Sequence, residues 1–180
     1  MAALAALVLL IVVQAGATLL VVAGFRHHRD PPMLRHHLRA HRIVPRRWID
    51  AVAGLLPAGS IGIGVASAVA PVHSPGAARL AGAAVALVYL IFAGYLAVLT
   101  YRDPAASCGC LGATGERAGR SLLRAVAMLA AGAALASPWP APALTEIAGW
   151  RLLAALTAMV GAGAAVVLTA VAAPTPRRTL

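Results

Sequence analysis

Five stretches of this chain, residues 2–25, 51–72, 80–101, 125–145 and 152–176, contain no Asp, Glu, Lys, Arg or His. Each covers the roughly 20 helical residues needed to cross a hydrocarbon layer about 30 Å thick. Backbone placed in lipid must pair its own polar groups, and an α-helix does so within one segment. The runs therefore predict an all-α, polytopic transmembrane helical bundle of four to five spans. Charged residues make up 11% of the 180 positions, less than half of the share of about 25% in a soluble domain, which excludes a water-soluble fold. The first run also has the length of a signal peptide. It lacks a basic leading region and a convincing cleavage site, so it reads as a retained helix.

A net charge of +10 would in a soluble protein suggest nucleic acid. Here the bilayer is the expected partner, because the basic residues lie in short connections between apolar runs. All fifteen are arginine, which reads as composition bias. Residues 26–50, 102–120 and the tail carry seven, three and two of them. With five crossings these regions share one face, opposite Arg79 and Arg151. The positive-inside rule then places the amino terminus outside and the carboxyl terminus inside.

Within the first span, Gln14 is the strong polar residue, with Thr18 one turn later. An amide in hydrocarbon needs a partner, so Gln14 is expected to face another helix, as glue or as part of a buried cavity. In the next segment, Asp30 before Pro31 is a helix start, and 31–44 reads as a short interfacial helix ended by Pro45. Met33, Leu34, Leu38, Ile43 and Val44 share its apolar side, while Arg35, Arg39 and Arg42 point elsewhere. Trp48 is placed to anchor the second span, about 49–70, at the headgroups. That span carries Pro57, expected to bend it, and Gly59, Gly62 and Gly64, expected to admit a close neighbour. Ser60 and Ser67 are its other polar side chains. A turn over 71–76 leads into a third span, about 80–101, ending on Tyr101. The fourth, about 121–137, is short enough to be partly embedded, and SPWPAP ends it. Thr157, Gly161 and Ala165 form a small-residue stripe in the last span. Residues 1–173 thus form one membrane-embedded domain, and 174–180 a polar basic tail.

Cys108-Gly109-Cys110, followed by Leu111-Gly112, is the constellation whose chemistry depends on its spacing. Two thiols flanking one glycine can close into a small, strained disulfide ring, and strain raises the reduction potential. Arg102, Arg117 and Arg120 share the loop and could stabilise a thiolate. Two other readings stand beside this one. The cysteines can be incidental loop residues, or they can join His37 and His41 as a zinc or copper(I) site, which the surrounding arginines oppose. No Walker loop, dinucleotide fingerprint, HExxH or serine elbow is present, so hydrolase and ATPase readings have no residues behind them. No cofactor motif is identified; a quinone is compatible with the chemistry but no motif supports it.

At this point the chain resembles a known group, the methylamine-utilisation membrane protein family MauE and its DoxX-like redox-associated relatives. The resemblance rests on VVAGFRHHRDPP, LRAHRIVP, the LLP that opens the second span, and CGCLG before a span whose first turn holds Arg124. It covers about two-thirds of the chain. Two departures from the family pattern are Leu111 in place of a phenylalanine and Ser60 in place of a glutamate three residues after Pro57. The resemblance implies a multi-pass protein of the bacterial cytoplasmic membrane associated with thiol–disulfide chemistry. Members are linked to maturation of methylamine dehydrogenase, whose small subunit is rich in disulfides, and often accompany thioredoxin-like proteins. Cys108 and Cys110 would be the reacting pair, with Gly109, Gly112 and Arg124 supporting the motif.

The expected function is therefore thiol–disulfide exchange with, or disulfide maturation of, a thioredoxin-like or other thiol-containing partner. A non-catalytic membrane scaffold for a redox partner is the alternative. Small-solute or metal transport ranks below both, since only Gln14, Ser60, Ser67 and scattered threonines would line a path.

Overall fold

In the computed structural model, the structure describes residues 2–106, 117–138, 149 and 156–161. Five α-helices and one 3-10 turn account for most of them, with no strand among the described residues. The helices are α1 (Ala2–Arg29), α2 (Pro31–His41), α3 (Ile49–His73), α4 (Pro75–Arg102) and α5 (Ala118–Ala136), with the 3-10 turn at Arg46–Trp48 before α3. Among the described residues, four segments are long and apolar enough to cross a membrane: Leu4–Arg29, Arg46–His73, Pro75–Arg102 and Ala118–Ala136. The chain is thus a multi-pass helical membrane protein with a short helix after its first span. Most of the expected fifth span and the 174–180 tail lie outside the described residues, though 156–161 is helical.

Local chemistry sets the helix ends. Asp30 caps α2, its Oδ1 accepting from the Met33 amide at 3.1 Å, and Pro31 supplies a first helical residue that needs no donor. Ser74 alone separates α3 from α4, and its Oγ accepts from the Ala77 amide at 3.0 Å. The reversal expected over 71–76 is thus one residue, because Pro75 cannot donate to the end of α3 but suits the first turn of α4. Pro57 and Pro71 both lie inside α3, which runs on through them. At the far end of α5, Ser137 donates to the Ala134 carbonyl at 2.7 Å and Arg79 Nε donates to the Ala136 carbonyl at 3.3 Å. A cation there also complements the negative end of the helix.

Backbone approaches define the packing. Added Cβ atoms at Gly24 and Gly64 would lie 2.8 Å from Pro57 O and 2.7 Å from Ala17 O, so α1 and α3 run antiparallel and nearly touch. At Gly82 and Gly132 the same holds for α4 and α5. Of the expected small-residue stripe, Gly161 packs on Gln14 and Ala15 and Thr157 is buried, while Ala165 lies outside the described residues. Among the described residues, Gly59 and Gly62 meet nothing within 4 Å, so of the three glycines expected to admit a neighbour to the second span only Gly64 does there. The core runs through Leu10, Val13, Val85, Met128 and Leu135. Leu55, Leu80, Ile91 and Leu123 are two-thirds exposed or more, the pattern of a surface solvated by lipid.

Candidate functional site

The antiparallel arrangement collects at one end of the bundle the last turn of α1, all of α2, the start of α3, the end of α4 and the start of α5. Most described arginines are here, while Arg79 lies at the opposite end. Leu34 and Leu38 pack on Ile49 and Ala53 and lay α2 across the start of α3. Arg35 Nε reaches Asp50 Oδ1 at 2.9 Å on the rim of this contact. The helix stops at His41, and Arg42 turns left-handed at φ 52°. The expected end was 44; the turn at Arg42 ends the helix three residues before Pro45. It also exposes the Arg42 carbonyl, which accepts from Arg102 Nη1 at 3.2 Å and ties α2 to the end of α4.

Beneath α2 lies a histidine–tyrosine cluster. His41 Nδ1 and Tyr95 Oη share a hydrogen bond of 2.6 Å. The rings of His37 and His41 are 5.9 Å apart, and His36 stands 6.0 Å from His37. His37 Nε2 is buried and has no hydrogen-bond partner among the described residues, a costly state for a polar atom in apolar surroundings. The His37, His41 and Tyr95 side chains close one end of a cavity of about 240 Å³ whose walls include Leu38, Val52, Leu56, Ile91 and Phe92. A second groove of about 410 Å³ shares Val52, Leu56, Ile91 and Phe92 and continues between α3 and α4 past Gly59 and Ile63. Together they form a trough from the lipid-facing side of the bundle to the histidines.

The remaining sites are deeper. Gln14 is 1% exposed, and its Nε2 donates to the Ala68 carbonyl at 3.2 Å while Oε1 lacks a partner among the described residues. Glue to another helix is thus its observed role. Ser60 is buried on the same face of α3 as Pro57 and Gly64, which meets α1, and borders the second groove. Arg124, half-buried in α5, lines a small cavity of about 70 Å³ with Tyr89, Phe92 and Leu96. Tyr89 Oη donates to the Gly16 carbonyl at 3.0 Å.

Cys108, Gly109, Cys110 and Gly112 lie outside the described residues. The segment that carries them is closed at its base, where the Ala118 amide donates to the Ala106 carbonyl at 3.0 Å. It therefore leaves and re-enters the bundle at the arginine-rich end. Among the described residues no group of three His, Cys, Asp or Glu is placed to hold a metal ion. The structure brings His37 and His41 together, and one nitrogen of His41 is already engaged by Tyr95. Sequence reasoning missed Tyr95, Phe92 and His27, which also line the histidine cavity. The available signal was a tyrosine inside an apolar span, whose hydroxyl requires a partner.

Fold and site together define a polytopic helical membrane protein with a polar cluster at one end. The family of the methylamine utilisation protein MauE matches residues 4–139, three-quarters of the chain, and this chain belongs to it. No curated protein and no solved structure matches.

Proposed function

We propose that the protein exchanges thiol–disulfide state with a partner protein at the membrane surface through Cys108 and Cys110, within the methylamine-utilisation role that its family's description names. The observation carrying this reading is the spacing Cys108-Gly109-Cys110 in a connection anchored at Ala106 and Ala118, the only two thiols of the chain. Two peptide units past Ala106, Cys108 stays within about 7 Å of it by covalent reach alone.

In the oxidising direction, a thiolate of the partner attacks one sulfur of the Cys108–Cys110 disulfide. The S–S bond breaks, a mixed disulfide forms, and the other cysteine leaves as a thiolate. The partner's second thiolate then attacks its own sulfur in the mixed disulfide and releases the remaining cysteine. Two electrons have moved from the partner to the pair; the reverse sequence reduces a partner disulfide. With no further cysteine, the chain must pass these electrons to or from a second protein or a lipid-soluble carrier.

Alkylation of thiols with a mass-shifting reagent across a series of redox buffers tests the first requirement. The expected result is an intramolecular disulfide that forms and opens with buffer potential; a pair that stays reduced in strongly oxidising buffer overturns the mechanism. The Cys108→Ser/Cys110→Ser double variant is expected to lose partner oxidation while retaining partner binding. Unchanged partner oxidation would leave a scaffold role.

A further inference from the structure

We infer that the hollow between the end of α2 and the start of α3 binds the phosphate of an anionic phospholipid, held by Arg39, Arg42 and Arg46. This site stands apart from the thiol chemistry proposed above and does not depend on it.

The hollow is built by one reversal of the chain. α2 ends at His41, Arg42 turns left-handed at φ 52°, and Pro45 with the 3-10 turn at Arg46–Trp48 leads back into α3. Arg39 from the last turn of α2, Arg42 from the reversal and Arg46 from the 3-10 turn thereby line one space of about 910 Å³. All three residues are exposed, so a ligand can reach them. Asp50 is the one carboxylate on the lining, and Arg35, which lies outside it, already holds Asp50 at 2.9 Å. Among the described residues no hydrogen bond or ion pair engages the side chains of Arg39, Arg42 or Arg46. Three like charges around one space repel one another, and an anion between them offsets that repulsion.

The anion that fits is a phosphate at the membrane surface. Its oxygens accept paired N–H donors from a guanidinium, a geometry that a point charge does not match. Trp48, 54% exposed beside the hollow, suits the level of the headgroups, and about two turns deeper Leu55 is 74% exposed to the acyl chains. The rest of the lining is Val44, Pro45 and Ile49, so apolar walls stand next to the charges. Val44 also lines the apolar cavity under α2, which gives an acyl chain joined to the phosphate a surface to follow. A soluble phosphate would use the arginines and leave those walls bare, whereas a phospholipid uses both. A zwitterionic head would bring its own cation into the arginine cluster, so the favoured lipid carries net negative charge.

The test uses the full chain purified in detergent, with native mass spectrometry counting bound lipid as phosphatidylglycerol or phosphatidylcholine of matched acyl chains is added. One phosphatidylglycerol per chain is expected to bind saturably, about tenfold or more tighter than phosphatidylcholine. Arg39→Gln/Arg46→Gln is expected to erase most of that preference. Arg29→Gln/Arg47→Gln removes the same charge from the same end of the bundle, outside the hollow, and is expected to keep it. Thermal unfolding in detergent reports that each variant is folded. Independently of any variant, phosphatidylglycerol with a photoreactive group beside its phosphate is expected to label residues 39–50 of the wild-type chain. Equal binding of the two lipids, a preference that survives Arg39→Gln/Arg46→Gln or is lost in both double variants alike, or labelling confined to other residues overturns the site. Displacement of the lipid by millimolar inorganic phosphate would make the hollow a soluble-anion site and overturn the lipid assignment.

Discussion

At the crossing of α4 and α5, Gly82 and Gly132 let two backbones meet with no side chain between them. A Cβ on Gly132 would sit 2.8 Å from Gly82 O and 2.9 Å from the Ala86 amide nitrogen, and backbone on both sides leaves nothing flexible to yield. Gly132→Val is therefore expected to push the helices apart at a cost of about 1–3 kcal/mol, the usual range for overpacking. Gly94, which meets nothing within 4 Å, is the control: Gly94→Ala is expected to leave the unfolding temperature in detergent nearly unchanged. Equal effects of the two substitutions would contradict the packing described. At this scale the sequence was legible where chemistry demands a partner and opaque where only geometry chooses one. Gln14 in an apolar run had to find a hydrogen bond, and it does so on Ala68, 54 residues away. The bond between His41 and Tyr95 spans the same separation but could not be read, because a histidine at the end of an interfacial helix has other ways to be satisfied. Nor did the spacing distinguish Gly64, which faces α1, from Gly59 and Gly62, which face away.

Among the elements, α2 shows how far local rules reach. Asp30 and Pro31 fix its start as the capping preferences require. Its end depends on the Arg42 carbonyl meeting Arg102 from another helix, information absent from residues 31–44 themselves. Its hold on α3 rests on Leu34 and Leu38 against Ile49 and Ala53. The exposed Arg35–Asp50 pair adds little, since such pairs contribute about 0–1 kcal/mol. Spin labels scanned along residues 31–41 are expected to alternate between buried or lipid-accessible and water-accessible sites with a period near 3.6 residues. Sites 34 and 38 should be the least water-accessible. Uniform accessibility along the segment would mean that α2 does not lie on the bundle.

For the whole molecule, the decisive quantity is which side of the membrane receives the end that carries α2 and the cysteine segment. The candidate spans α1, α3, α4 and α5 alternate in direction, so this end collects the 26–50 and 102–120 segments. They bring seven and three arginines to short connections, and Arg124 lies one turn deeper. At the other end, among the described residues, Arg79 stands alone and is bonded to the end of α5. An excess of arginine in short connections orients helices with the basic side in the cytoplasm. Whatever follows α5 leaves the connection between α4 and α5 in place. We therefore predict that Cys108 and Cys110 face the cytoplasm. The consequence bears on direction: stable disulfides are rare there, so a strained pair on that side would be reduced by the cytoplasmic thiol pool and rest as a dithiol, not as a standing oxidant of a partner. A membrane-impermeant thiol reagent applied to intact cells, then to lysed cells, decides the question. Protection before lysis and labelling after it is the expected result. Labelling of either cysteine in intact cells would place the segment outside, where a disulfide-forming role would become the natural one.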